Sequence, residues 1–209
     1  MDKKVLDILA DAISDAGAWL WWHMEGDMLQ LEFCGVQLYD ESKPEQEPHT
    51  TDVIAVRFYD HVFAVFLDDM DEDGPKPWYE RFHDDELPPF ECDGYELEFD
   101  NPEYALQVYE AYGNRTPVTA FDGMNTLKSA GHLIAAKCGD AGIIAGGGRM
   151  EIVNKNGPLS EEEIGPLFRK WWEYWQKYWR LRGTRDALAK DLTCEVTIPV
   201  NQEIPRGKW

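Results

Sequence analysis

The stretch PLFRKWWEYWQKYWRLR, residues 166–182, contains four of the nine tryptophans of the chain. On a helix of about 3.6 residues per turn, its apolar side chains fill one side and its basic and other polar side chains fill the opposite side. The pattern therefore predicts a long, Trp-rich amphipathic helix near the C-terminus. Because water does not favour so much bare aromatic surface, we expect this face to pack in the core. The alternatives are an interfacial membrane helix, a helix bound in a partner's groove and a surface that stacks nucleic-acid bases, the last of which the overall negative charge disfavours.

The rest of the sequence predicts an α+β fold, with mostly antiparallel sheet flanked by helices. Apolar residues at helical spacing indicate a first helix over residues 2–16. Alternating and β-branched stretches indicate strands, including one over residues 95–99 and a last one over residues 193–200. Three pairs of strands are predicted to form hairpins, which turn at Glu25-Gly26-Asp27, near Asp60-His61 and across residues 146–148.

Two further helices are predicted before the Trp-rich one. The first covers residues 100–112, because Pro102 occupies a first-turn position and Gly113 follows the last turn. The second covers residues 125–137, where apolar residues recur along the helix. The sequence SEEE from Ser160 has the spacing of a capping box and predicts a helix start, after which Pro166 either kinks that helix or restarts it as the Trp-rich one.

Charge is spread very unevenly along the chain, whose formal net charge is −20. Residues 1–123 carry 30 acidic and 7 basic side chains, whereas residues 124–209 carry 10 acidic and 13 basic ones. The balance changes near residues 114–117. We therefore predict an acidic half over residues 1–113 and a second half over residues 118–209, with one compact domain as the alternative.

This charge distribution narrows the classes of partner. The acidic half should repel phosphate backbones and anionic membranes and attract a basic protein, so we expect no direct nucleic-acid binding and no membrane binding. We also expect self-association, with the acidic half against the basic face of the Trp-rich helix.

The cysteines are widely spaced and form no C-x-x-C pair, which indicates free thiols and a cytoplasmic location. They are Cys34, Cys92, Cys138 and Cys194.

A long acidic loop is predicted after residue 67. Its carboxylates are dense enough to mimic the phosphates of a nucleic acid when a basic protein binds. We therefore expect an acidic protein-interaction module, acting as a regulator or inhibitor. The competing interpretation is a loop that is charged only to remain solvated. The residues expected to form the binding surface are Asp68, Asp69, Asp71, Glu72, Asp73, Asp84, Asp85 and Glu86.

Part of the same loop fits the calcium-binding pattern D-x-D-x-D-G-x5-E. Several hard oxygens around a tight turn suit Ca²⁺, so a calcium-binding module is an alternative function. Lys76 replaces the usual aliphatic residue and a predicted strand precedes the loop, so an EF-hand is not expected. Chance spacing in an Asp-rich loop is the competing interpretation. The residues that fit the ligand positions are Asp69, Asp71, Asp73 and Glu80.

The sequence contains no recognisable catalytic signature. The five histidines are scattered, and none of the serines lies in a G-x-S-x-G motif. We therefore expect no enzyme, with an unrecognised enzyme whose site lies between the two halves as the alternative. The stretch Gly146-Gly147-Gly148-Arg149 would hold an anion through its backbone N–H groups, but a hairpin turn is the stronger interpretation.

Overall fold

The computed structural model describes residues 1–14, 19–39, 49–68, 96–139, 141–154 and 156–166. The Trp-rich stretch beyond residue 166, the acidic loop beyond residue 68 and the predicted last strand lie outside the described residues. The predictions made for them therefore stay predictions.

Within the described residues the fold is α+β, as predicted, and both sheets are antiparallel. The helices are α1 (Lys3–Ser14), α2 (Pro102–Ala111) and α3 (Gly123–Ser129), and residues 161–166 are also helical. The strands are β1 (Trp19–Glu25), β2 (Met28–Tyr39), β3 (His49–Tyr59), β4 (Phe63–Asp68), β5 (Glu96–Phe99), β6 (Asn114–Pro117), β7 (His132–Cys138), β8 (Ala141–Gly147), β9 (Arg149–Asn154) and β10 (Gly157–Pro158).

The described strands form two sheets. Sheet A has the order β1-β2-β3-β9-β10, and sheet B has the order β5-β7-β8-β4-β6. The chain passes from sheet A to sheet B between β3 and β4, and it returns between β8 and β9 through Gly148 alone. Each sheet therefore combines strands from before and after residues 114–117.

The prediction of hairpins is confirmed at the first site and wrong at the other two. Glu25 pairs with Met28, and Gly26 adopts a φ of 57° in the turn between β1 and β2. The other two predicted turns are the crossings between the sheets: among the described strands, β3 does not pair with β4, nor β8 with β9. A short linker between two alternating segments looks the same in sequence whether the strands pair or separate into two sheets.

The predicted helix over residues 125–137 is wrong in its second half. The helix α3 ends at Ser129, and β7 follows in the interior of sheet B. Residues 133–136 are all buried, because helices cover one face of sheet B and sheet A covers the other. A strand buried on both faces has no alternating pattern, so a short apolar run does not distinguish it from a helix.

The predicted helix ends are largely confirmed. The Asn101 side chain accepts a hydrogen bond from the Tyr104 N–H at 3.0 Å, and Pro102 opens α2. At Ser160, the N–H and the hydroxyl both donate to one Glu163 carboxylate oxygen at 2.8 Å. The hydrogen bond from the Ser160 backbone N–H, followed by the bond from its hydroxyl, lowers the pKa of Glu163.

Within the described residues, no helix combines the length and apolar composition that a membrane crossing requires.

The described core has two parts, one on each face of sheet B. The first lies between sheet A, sheet B and the apolar face of α1. It includes Leu9, Ile13, Leu31, Phe33, Val56, Phe58, Phe66, Phe99 and Ile134. The second lies between sheet B and the helices α2 and α3. It includes Phe63, Val65, Leu67, Ala105, Val108, Tyr112, Leu127 and Ile144. Sheet B is thus the central layer of the described fold.

Candidate functional site

The structure fixes where the acidic loop is attached, although it describes only the backbone of the first predicted site residue. Asp68 is the last residue of β4 and pairs with Ala141 on β8, while Glu96 begins β5 and pairs with Lys137 on β7. Both ends of the segment 69–95 therefore leave the same end of sheet B. Three strand spacings separate them, or roughly 14 Å.

The remaining residues of the predicted binding surface and calcium site belong to that segment. They lie outside the described residues, so the structure does not show whether they come together. They are Asp69, Asp71, Glu72, Asp73, Glu80, Asp84, Asp85 and Glu86.

A second group of carboxylates, which we call the acidic edge, is described in full: Glu96, Glu98, Asp100 and Glu103. It follows residues 69–95 directly and lies along β5, one of the two edge strands of the described sheet B, and the first turn of α2. Leu97 and Phe99 alternate with the glutamates and point into the core. The glutamates consequently lie on the opposite face of the strand.

Hydrogen bonds hold the acidic edge in place. The Asn101 amide donates to a Glu98 carboxylate oxygen at 2.6 Å, and the Lys137 ammonium lies 2.7 Å from a Glu96 carboxylate oxygen. The Tyr104 hydroxyl donates to the backbone carbonyl of Glu96 at 3.0 Å. Burial, followed by the negative charges of Glu96 and Glu98, raises the pKa of Tyr104. The phenol therefore stays protonated and experiences the negative potential of this edge.

Asp100 joins the acidic edge to the start of β7. Its backbone adopts a left-handed φ of 49°, and its N–H donates to the Leu133 carbonyl at 2.9 Å. One carboxylate oxygen accepts from the Leu133 N–H, and the other lies 2.9 Å from Nδ1 of His132. A carboxylate at Nδ1 favours the tautomer with its proton on that nitrogen, which leaves Nε2 as the basic nitrogen.

A separate polar group surrounds the sheet crossings. The Arg149 guanidinium lies 2.9 Å from a carboxylate oxygen of Asp60 and stacks over the Tyr59 ring at 4.8 Å. The Tyr59 hydroxyl donates to Glu151 at 3.0 Å. Burial, followed by the hydrogen bond to Glu151, raises the pKa of Tyr59 to about 12. The Gly148 N–H donates to Asp60, so it is not directed at an anion, as the anion-binding interpretation of the glycines would require.

Next to this group, a polar row crosses four strands of sheet A in register: His23, Gln30, Arg57 and Glu151. The Arg57 side chain is only 4% exposed, and its Nε donates to the Gln30 side chain. Gln30 donates in turn to Glu32, and Nη1 of Arg57 lies 4.0 Å from Glu151. The row thus holds a buried cation in contact with an amide and a carboxylate. The sequence did not reveal it, because polar residues alternating with apolar ones are typical of a solvent-facing side.

The described residues include no group of three or more His, Cys, Asp or Glu side chains arranged to hold a metal ion. Cys138, at the end of β7, is disulfide-bonded. The prediction of free thiols is therefore wrong for this cysteine, because a fold can bring together cysteines that are far apart in sequence.

The chain matches no protein-family model, and comparisons with curated proteins and with solved structures give no match either.

Proposed function

We propose that this protein is an acidic interaction module, a regulator or inhibitor that presents a nucleic-acid-like negative surface to a basic protein. The observation that best supports the proposal is the acidic edge, a group of four carboxylates that follows the predicted acidic loop in sequence and whose positions on β5 and at the start of α2 are described. Hydrogen bonds and ion pairs hold three of its carboxylates, those of Glu96, Glu98 and Asp100, so a partner would have to order fewer side chains on binding. The net charge of −20 adds long-range attraction for a cation.

The partner is unidentified, so a deca-arginine peptide serves as the probe of this charge complementarity. The test variant is Glu96→Gln/Glu98→Gln/Glu103→Gln, which keeps Asp100 because that residue holds His132. The matched control removes the same charge from other exposed positions, with Glu25→Gln/Asp27→Asn/Glu110→Gln. We expect the edge variant to weaken binding, measured by calorimetry, at least several-fold more than the control. Equal weakening by both variants would mean that only net charge matters and would contradict a localised surface.

The calcium-binding module is a second proposal, carried by the pattern from Asp69 to Glu80. The described residues fix only the start of this loop, since Asp68 immediately before it pairs with Ala141 at the end of β4. The test is the melting temperature during a Ca²⁺ titration, with Mg²⁺ as the control ion and Asp71→Asn/Asp73→Asn as the control variant. A rise specific to Ca²⁺ and absent in the variant supports the site, whereas equal shifts with both ions rule it out.

An enzyme is the third proposal, and the Asp100–His132 pair is the observation that favours it. A carboxylate that fixes an imidazole is a recurrent arrangement in general-base catalysis, and this pair joins the two predicted halves of the chain. Hydrolysis of p-nitrophenyl acetate is a suitable probe. We expect His132→Gln and Asp100→Asn each to lower the rate at least tenfold, with His23→Gln as the control. Unchanged rates in both variants would remove this proposal.

A further inference from the structure

We draw no further inference here: the strongest candidate, the Asp100–His132 side-chain pair where β5 meets the start of β7, already belongs to the third proposed function, and the described residues show no metal-binding group that would give it another role.

Discussion

The backbone N–H of Gly148 donates a 2.7 Å hydrogen bond to the carbonyl oxygen of Asp60. This bond joins the two places where the chain passes between sheet A and sheet B. A third segment meets the same point, since a Cβ atom added to Gly131 would lie 2.4 Å from the Gly148 carbonyl oxygen. The two sheet crossings and the residue before β7 therefore lie so close together that a side chain at position 131 would collide with the backbone of Gly148.

The close approach at Gly131 predicts that Gly131→Ala destabilises the protein. The added methyl group meets backbone rather than a flexible side chain, so the expected loss is about 1–3 kcal/mol in the free energy of unfolding. Gly165→Ala is the control, because Gly165 lies in a helical segment and no atom of the described residues lies within 4 Å of an added Cβ. This variant should change stability by less than about 1 kcal/mol. Urea unfolding measures both; equal losses would contradict the described contact.

The buried position of Arg57 predicts a large effect of Arg57→Met. The substitution removes the cation that contacts Gln30 and Glu151. We therefore expect the free energy of unfolding to fall by roughly 2–4 kcal/mol. Arg115→Met is the control: this exposed guanidinium donates to the Tyr109 carbonyl and stacks on its ring, so the expected loss is below about 1 kcal/mol. Similar unfolding midpoints for the two variants would show that Arg57 is not held as described.

The raised pKa of Tyr59 predicts a stability change at high pH. The unfolded chain loses this proton near pH 10, whereas the folded protein keeps it to about pH 12. Stability from this group is therefore present below pH 10 and is lost as the pH rises from 10 to 12. In Tyr59→Phe the stability should therefore fall less steeply between pH 10 and pH 12 than it does in the wild type. Urea midpoints at several pH values test this prediction, and parallel declines would contradict it.

The disulfide at Cys138 predicts a redox-dependent stability. Without reductant, Cys138→Ser should be less stable than the wild type by about 2–4 kcal/mol, because the cross-link restricts the unfolded chain. Dithiothreitol should destabilise the wild type and bring it close to the variant, which should itself change little. Thiol titration of the denatured, unreduced wild type provides the complementary measurement. Four reactive thiols in that titration would show that the bond is absent.

Local sequence signals correctly predicted the first hairpin and the helix starts at Asn101 and Ser160, because their determinants are local. Asn101 and Pro102 define the start of α2 wherever the helix packs, and Gly26 permits the turn between β1 and β2. Strand pairing was harder to predict: alternation shows which face of a strand is buried but not which strand lies beside it. The error at β7 has the same origin, since neighbours on both faces remove the alternation.

The candidate sites also divide into features set by local sequence and features set by tertiary contacts. The positions of Glu96 and Glu98 on one face of a strand can be predicted locally, from the alternation over residues 95–99. The contact between Asp100 and His132 joins positions 32 residues apart, and only the pairing of β5 with β7 brings them together. The polar row depends in the same way on the register of four strands. Such tertiary contacts carry no signature in a single sequence.

The most direct test of the proposed function is the salt dependence of wild-type binding to the deca-arginine peptide. Attraction between a fixed acidic surface and a cationic partner is screened by salt, with a Debye length that shortens from about 10 Å at 0.1 M to about 3 Å at 1 M. We predict measurable binding at 50 mM NaCl and at least a tenfold weakening at 200 mM. Undetectable binding at 50 mM NaCl, or affinity that is the same at both concentrations, would contradict the account.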